Sequence, residues 1–126
     1  MKTSILFAIL LCLAVPGKNS LCAATYGQEV VAAVLLAEAR GEGEKGMQAV
    51  AEVIRTRADK KGVTMLAVVK PIDFSSLNGT NRDALLKKYR YHPLFDEALK
   101  IARTAYNEPH LLTNVTRNAT HFVVKT

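Results

Sequence analysis

Cysteine is almost missing from this 126-residue chain. The two that occur, Cys12 and Cys22, both fall within residues 1–24. Those residues read as a secretory leader. Lys2 supplies a short positive start. Ile5 to Val15 is an apolar run of about signal-peptide length, too short for an ordinary membrane span. Pro16 and Gly17 break the run, and Cys22-Ala23-Ala24 leaves small side chains where a signal peptidase reads them. Cleavage is expected near Ala24-Thr25, giving a signal peptide over 1–24 and one domain over 25–126. That domain holds no cysteine, which excludes disulfide staples and cysteine metal sites. Stability must then come from an apolar core, and about 100 residues rich in Val, Leu, Ile and Ala can supply one.

Other scarcities narrow the function classes. His92, His110 and His121 are scattered without metal-ligand spacing, and no metal or cofactor is expected. No dense basic patch with interleaved aromatics occurs, which argues against nucleic acid. Loss of Lys2 and Lys18 leaves 15 basic residues against 11 acidic ones, a net charge of +4. A mild positive charge on an exported protein suits an anionic partner such as bacterial cell wall. Repeats, low-complexity segments and internal domain boundaries are not seen.

What is present is a helical pattern. Tyr26-Gly27-Gln28 reads as a helix entry. From Glu29 to Arg40 apolar residues crowd together in a run too long for a usual strand, which predicts a central buried helix. Gly41 and Gly43 are its stop. Glu44 or Lys45 opens a second helix with Met47, Val50, Val53 and Ile54 on its buried face, stopped at Gly62. Thr64 caps a short third helix through Val69, ended by Pro71. Residues 71–81 form a loop. Asn81 caps a fourth helix to about Arg90. His92-Pro93 starts a fifth, with Leu94, Phe95, Ala98, Leu99, Ile101, Ala102 and Ala105 at core spacing. Residues 107–118 read as loop, and the β-branched and aromatic residues Thr120 to Val124 as a short strand.

One carboxylate stands out. Glu38 continues the stripe Val31, Val34, Leu35 and lies just before the glycine turn. Cleaving a glycosidic bond needs an acid that protonates the leaving oxygen. Apolar surroundings and a helix C-terminus both favour a carboxyl that keeps its proton. The competing reading is a structural glutamate paired with Arg40 or Arg57. Glu42 and Glu44 read as solvated, and Asp73 is the other loop carboxylate that could oppose Glu38. Within the loop, Phe74 offers an apolar face to a sugar, and Ser75 and Asn78 offer hydrogen bonds. A turn with a buried anchor is the competing reading there. His121, with Thr120, stands alone, and a lone histidine near an apolar strand is more often structural.

Glu38-Ala39-Arg40-Gly41-Glu42-Gly43-Glu44, followed by Gly46 to Ile54, resembles the cell wall hydrolase family of the spore cortex-lytic enzymes (SleB type). Asp73-Phe74-Ser75 with Asn78-Gly79 is similar to that family's Gln-Phe-Ser…Asn-Gly loop, and Asn118-Ala119-Thr120-His121-Phe122 to its Gly-Ala-Thr-His-Tyr segment. The resemblance runs from about Glu29 to Phe122. It implies a small lysozyme-like, mainly α domain with a short β segment near the C-terminus. It also implies cleavage of peptidoglycan glycan strands between N-acetylmuramic acid and N-acetylglucosamine, by hydrolysis or lytic transglycosylation, with Glu38 as general acid and base. Arg40, Phe74, Ser75, Asn78, Thr120 and His121 would be substrate-binding. The protein would be a monomer, secreted to periplasm or cell wall, with no membrane partner after leader removal. The departures are Thr56 where the family commonly has Asn, Ser76-Leu77 for a frequent Cys-Trp, and Asn118 for Gly. Relatives continue through a proline- and tryptophan-containing tail where this sequence stops at Thr126, so the expectation is either an incomplete cleft or a shortened member of the family. The alternative is a catalytically inactive secreted wall-binding or structural helical protein.

Overall fold

The computed structural model describes residues 23–71 and 73–112, apart from the side chain of Arg40. Among these residues the fold is mainly helical: five α-helices and three short 3-10 turns, with no strand. The anticipated strand at 120–124 and the leader core lie outside the described residues.

Helix α1, Tyr26–Ala39, is the centre. Its start is a capping box. The Thr25 hydroxyl accepts from the Gln28 N–H at 3.1 Å, and Gln28 Oε1 accepts from the Thr25 N–H at 3.1 Å. Each residue from Val30 to Leu36 is 0 % exposed. A helix that is apolar all round must be covered on every side, and α1 touches each of the other four helices.

Helix α2, Gly43–Lys61, buries Met47, Val50, Val53 and Ile54 as expected and ends at Gly62. Helix α3, Met65–Val68, is one turn long, and the Thr64 hydroxyl caps it by accepting from Ala67 N–H at 3.1 Å. Helix α4, Arg82–Tyr89, has the predicted Asn81 cap, which accepts from Ala84 N–H at 2.9 Å. Its buried face includes Tyr89 as well as Leu85 and Leu86. Helix α5, Phe95–Asn107, starts two residues after Pro93. His92 and Pro93 belong instead to a turn in which His92 Nδ1 accepts the Leu94 N–H.

Two arginines lock the helices through carbonyls at helix ends. Arg82 donates to Leu66 O at 2.7 Å and Val69 O at 2.9 Å, tying α4 to the end of α3. Arg55 on α2 donates to Ala105 O at 3.0 Å and Tyr106 O at 3.2 Å, near the end of α5. Cations at orphan carbonyls are favoured by hydrogen bonding and by the helix dipole. No helix among the described residues is long and apolar enough to cross a membrane.

Candidate functional site

The chain passes from α1 to α2 through a tight corner. Arg40–Glu42 is a single 3-10 turn, and Gly43 takes φ 71°, a left-handed conformation that L side chains avoid. Helix α2 begins at Gly43 rather than at Glu44 or Lys45 because the corner needs no further residue. Gly46 faces back onto it. A Cβ there would lie 2.2 Å from Glu42 Cβ and 3.5 Å from Ala39 Cβ. The glycines thus let the corner sit directly on the first turn of α2, which leaves Glu38 on the last turn of α1, half-buried beside the loop that follows α3.

That loop supplies the partners of Glu38. The Ser76 N–H donates to Oε1 at 3.0 Å, and the Ser75 hydroxyl points at Oε2 from 3.5 Å, the outer limit of a hydrogen bond. Ser75–Leu77 is a 3-10 turn, so the carboxylate meets an N–H that the turn itself leaves without a partner. The loop is anchored by Phe74 and Leu77, each 1 % exposed. Arg57 of α2 lies over the Phe74 ring, 5.3 Å from its centroid, and its Nη1 is 3.9 Å from Asp73 Oδ1. Oδ2 of Asp73 and Oγ of Ser76 are buried with no hydrogen-bond partner among the described residues.

Two expectations change. Glu38 does not sit in an apolar seat, because the loop folds back and offers polar partners to both its oxygens. Phe74 is no sugar platform: the ring is in the core with a guanidinium over it, so it is the buried anchor of the turn. Asp73, the other loop carboxylate, has its Oδ1 3.9 Å from Arg57 Nη1. Ser75 and Asn78 are exposed on the turn next to Glu38, with the Asn78 N–H donating to Ser75 O at 3.0 Å. Arg40 opens the corner, its side chain outside the description. Thr120 and His121 also lie outside the described residues.

The site therefore brings together Glu38, Ser75 and Ser76, with Asp73, Phe74 and Arg57 as the framework behind them. Ser76 and Arg57 were the residues that sequence reasoning left out of the site. A backbone donor leaves no trace in side-chain pattern, and Arg57 reads from the sequence only as a structural partner for Glu38. Chemically, the arrangement is one solvent-reachable carboxylate oriented by an N–H and a hydroxyl. Among the described residues no group of three His, Cys, Asp or Glu side chains could hold a metal ion. No protein family, no curated protein and no solved structure matches the chain.

Proposed function

We propose that this protein cleaves the glycan strand of peptidoglycan, with Glu38 as general acid and then base. The observation that carries this is a single carboxylate on the last turn of a buried helix, half-open to solvent and held by Ser76 N–H. In the first step Glu38 gives its proton to the oxygen linking N-acetylmuramic acid to N-acetylglucosamine, and the C–O bond breaks. The resulting carboxylate then takes a proton from one of two nucleophiles. If this is the muramoyl 6-hydroxyl, its oxygen closes a 1,6-anhydro ring and no water is consumed. If it is water, hydrolysis results. Pairing of Asp73 with Arg57 suits a mechanism in which one glutamate does both tasks. A lysozyme-like arrangement, export to periplasm or cell wall, action as a monomer, and substrate contacts from Arg40, Ser75, Asn78, Thr120 and His121 belong to the same proposal. It needs no metal or cofactor.

A second reading has its own support. Both Glu38 oxygens face the 73–77 loop, so the residue also qualifies as a structural tie in a wall-binding protein without activity. Turbidity loss of purified sacculi separates the two. The first reading expects clearing by the parent and none by Glu38→Gln. Equal clearing by both proteins removes Glu38 as the acid. Co-sedimentation of both without clearing favours the wall-binding reading. Mass spectrometry of released muropeptides then assigns the nucleophile, anhydro ends for transglycosylation and reducing ends for hydrolysis.

A further inference from the structure

At the other end of α1 lies a surface that the Glu38 chemistry does not use. Two adjoining cavities of about 400 and about 390 Å³ share Tyr26 and Asp83 as a common wall. Each is within the size of a small-ligand site. Tyr26 opens α1 and Glu38 stands twelve residues later, which puts them about 18 Å apart along the helix axis. Neither cavity is lined by Glu38.

The chemistry of this surface is selective. Tyr26 is 45 % exposed, yet its hydroxyl donates to Asp83 Oδ1 across 57 residues of sequence, so its ring is held in place while one side stays open. Tyr91, in the turn after α4, is 89 % exposed at the far edge of the second cavity. Exposed tyrosines offer flat apolar faces together with a polar tip. Lys70 and Arg82 line the first cavity, Lys87 and Arg90 the second. Against these four cations stand Asp83 and Glu29, the latter 3.3 Å from Arg90. The groove is thus net positive but has a carboxylate at its middle. A ligand charged along its whole length, such as nucleic acid, would meet Asp83 unfavourably. A ligand with hydroxyl or amide donors at its centre and negative groups at its ends fits better, and ring-shaped units would lie against the two tyrosines.

We infer that the Tyr26–Tyr91 groove is a second saccharide-binding site, for a glycan that carries carboxylates. Its assignment to wall glycan rests on the proposed function, whereas the preference for a carboxylated saccharide rests on the groove alone. The test uses the full chain carrying Glu38→Gln, so that no cleavage intervenes. Calorimetry compares chitotetraose with the alternating N-acetylglucosamine–N-acetylmuramic acid tetrasaccharide, which has a similar backbone plus lactyl carboxylates. The expected result is about tenfold tighter binding of the muramic acid form. Tyr91→Ala and Lys87→Glu should each weaken it about tenfold, and Tyr91→Phe should retain it. Both substituted residues are exposed, so an unchanged melting temperature certifies folding. Equal binding of the two sugars, no binding of either, or no effect of Tyr91→Ala and Lys87→Glu overturns the inference. Loss of binding in those variants supports it even if the parent fails to clear sacculi, an outcome that would defeat only the cleavage mechanism.

Discussion

Replacing Arg57 by alanine should loosen the loop that holds Glu38, and the size of the effect follows from the contacts. The Arg57 side chain is 10 % exposed and that of Asp73 24 %, so neither is screened as a surface pair would be. Loss of the guanidinium over Phe74 removes a partly desolvated cation–π contact, about 1–2 kcal/mol. It also strips Asp73 of the opposite charge 3.9 Å from its Oδ1, about 1–2 kcal/mol more. A total near 3 kcal/mol corresponds to a fall in Tm of about 12–24 °C for a domain of this size. Arg57→Lys should fall between, since lysine keeps the charge but not the planar stack. The local readout is hydrogen exchange at the Ser76 N–H, the donor to Glu38, which should quicken more than amides in the middle of α1. In a double-mutant cycle with Asp73→Asn, the two changes should couple by about 1 kcal/mol. If Arg57→Ala costs less than about 0.5 kcal/mol, or the cycle is additive, then Arg57 does not hold this loop.

Further outcomes follow from the same geometry. Gly46→Ala should destabilise by about 1–3 kcal/mol in urea melts, because its Cβ would collide with a Cβ that cannot rotate away. Gly41→Ala, where a Cβ meets nothing within 4 Å, should stay within about 0.5 kcal/mol of the parent. Asn81→Ala should cost about 1 kcal/mol and fray the start of α4, seen as faster exchange at Ala84 N–H. The Tyr26 pKa is raised above its ordinary 10.0, first by the hydrogen bond to Asp83 and then by burial. Its hydroxyl must carry a proton to donate, so this bond stabilises the fold below pH ~10 and is lost as pH rises through the raised folded value. Burial also raises the Tyr106 hydroxyl, so ultraviolet titration should show two tyrosines ionising late, and Asp83→Asn should bring only Tyr26 back toward the others.

The helical framework was legible because its signals are local. A run without polar interruption from Val30 to Leu36 leaves no solvent face, and that alone predicts a central helix. Thr64 and Asn81 cap where they were expected to, since an N-cap needs only a side-chain oxygen and the next three residues. The Thr25–Gln28 box is masked in the sequence because Ala24-Thr25 also carries the small residues that a signal peptidase needs. The site was less legible because its ties join residues far apart in the chain. The sequence offers Glu38 as a partner for Arg57, and only the folded path of the loop after α3 brings Asp73 Oδ1 to 3.9 Å from it. The same holds for Phe74. Its hydrophobicity suits a sugar platform and a core anchor equally, and packing decides for the core. Tyr26 and Tyr91 became one groove only through the hand-over between α1 and α4.

Helix α1 also sets a length. It carries Tyr26 at its first residue and Glu38 on its last turn, and it is sheathed on all sides by the other helices, so it cannot bend or shift register without opening the core. The two ends therefore keep a fixed separation of about 18 Å whatever the loops do. A polymer that touched both would be measured as if by a gauge block: strands shorter than the rod could occupy one end at a time, and only longer ones could be gripped at the tyrosines while presenting an inner bond to the carboxylate.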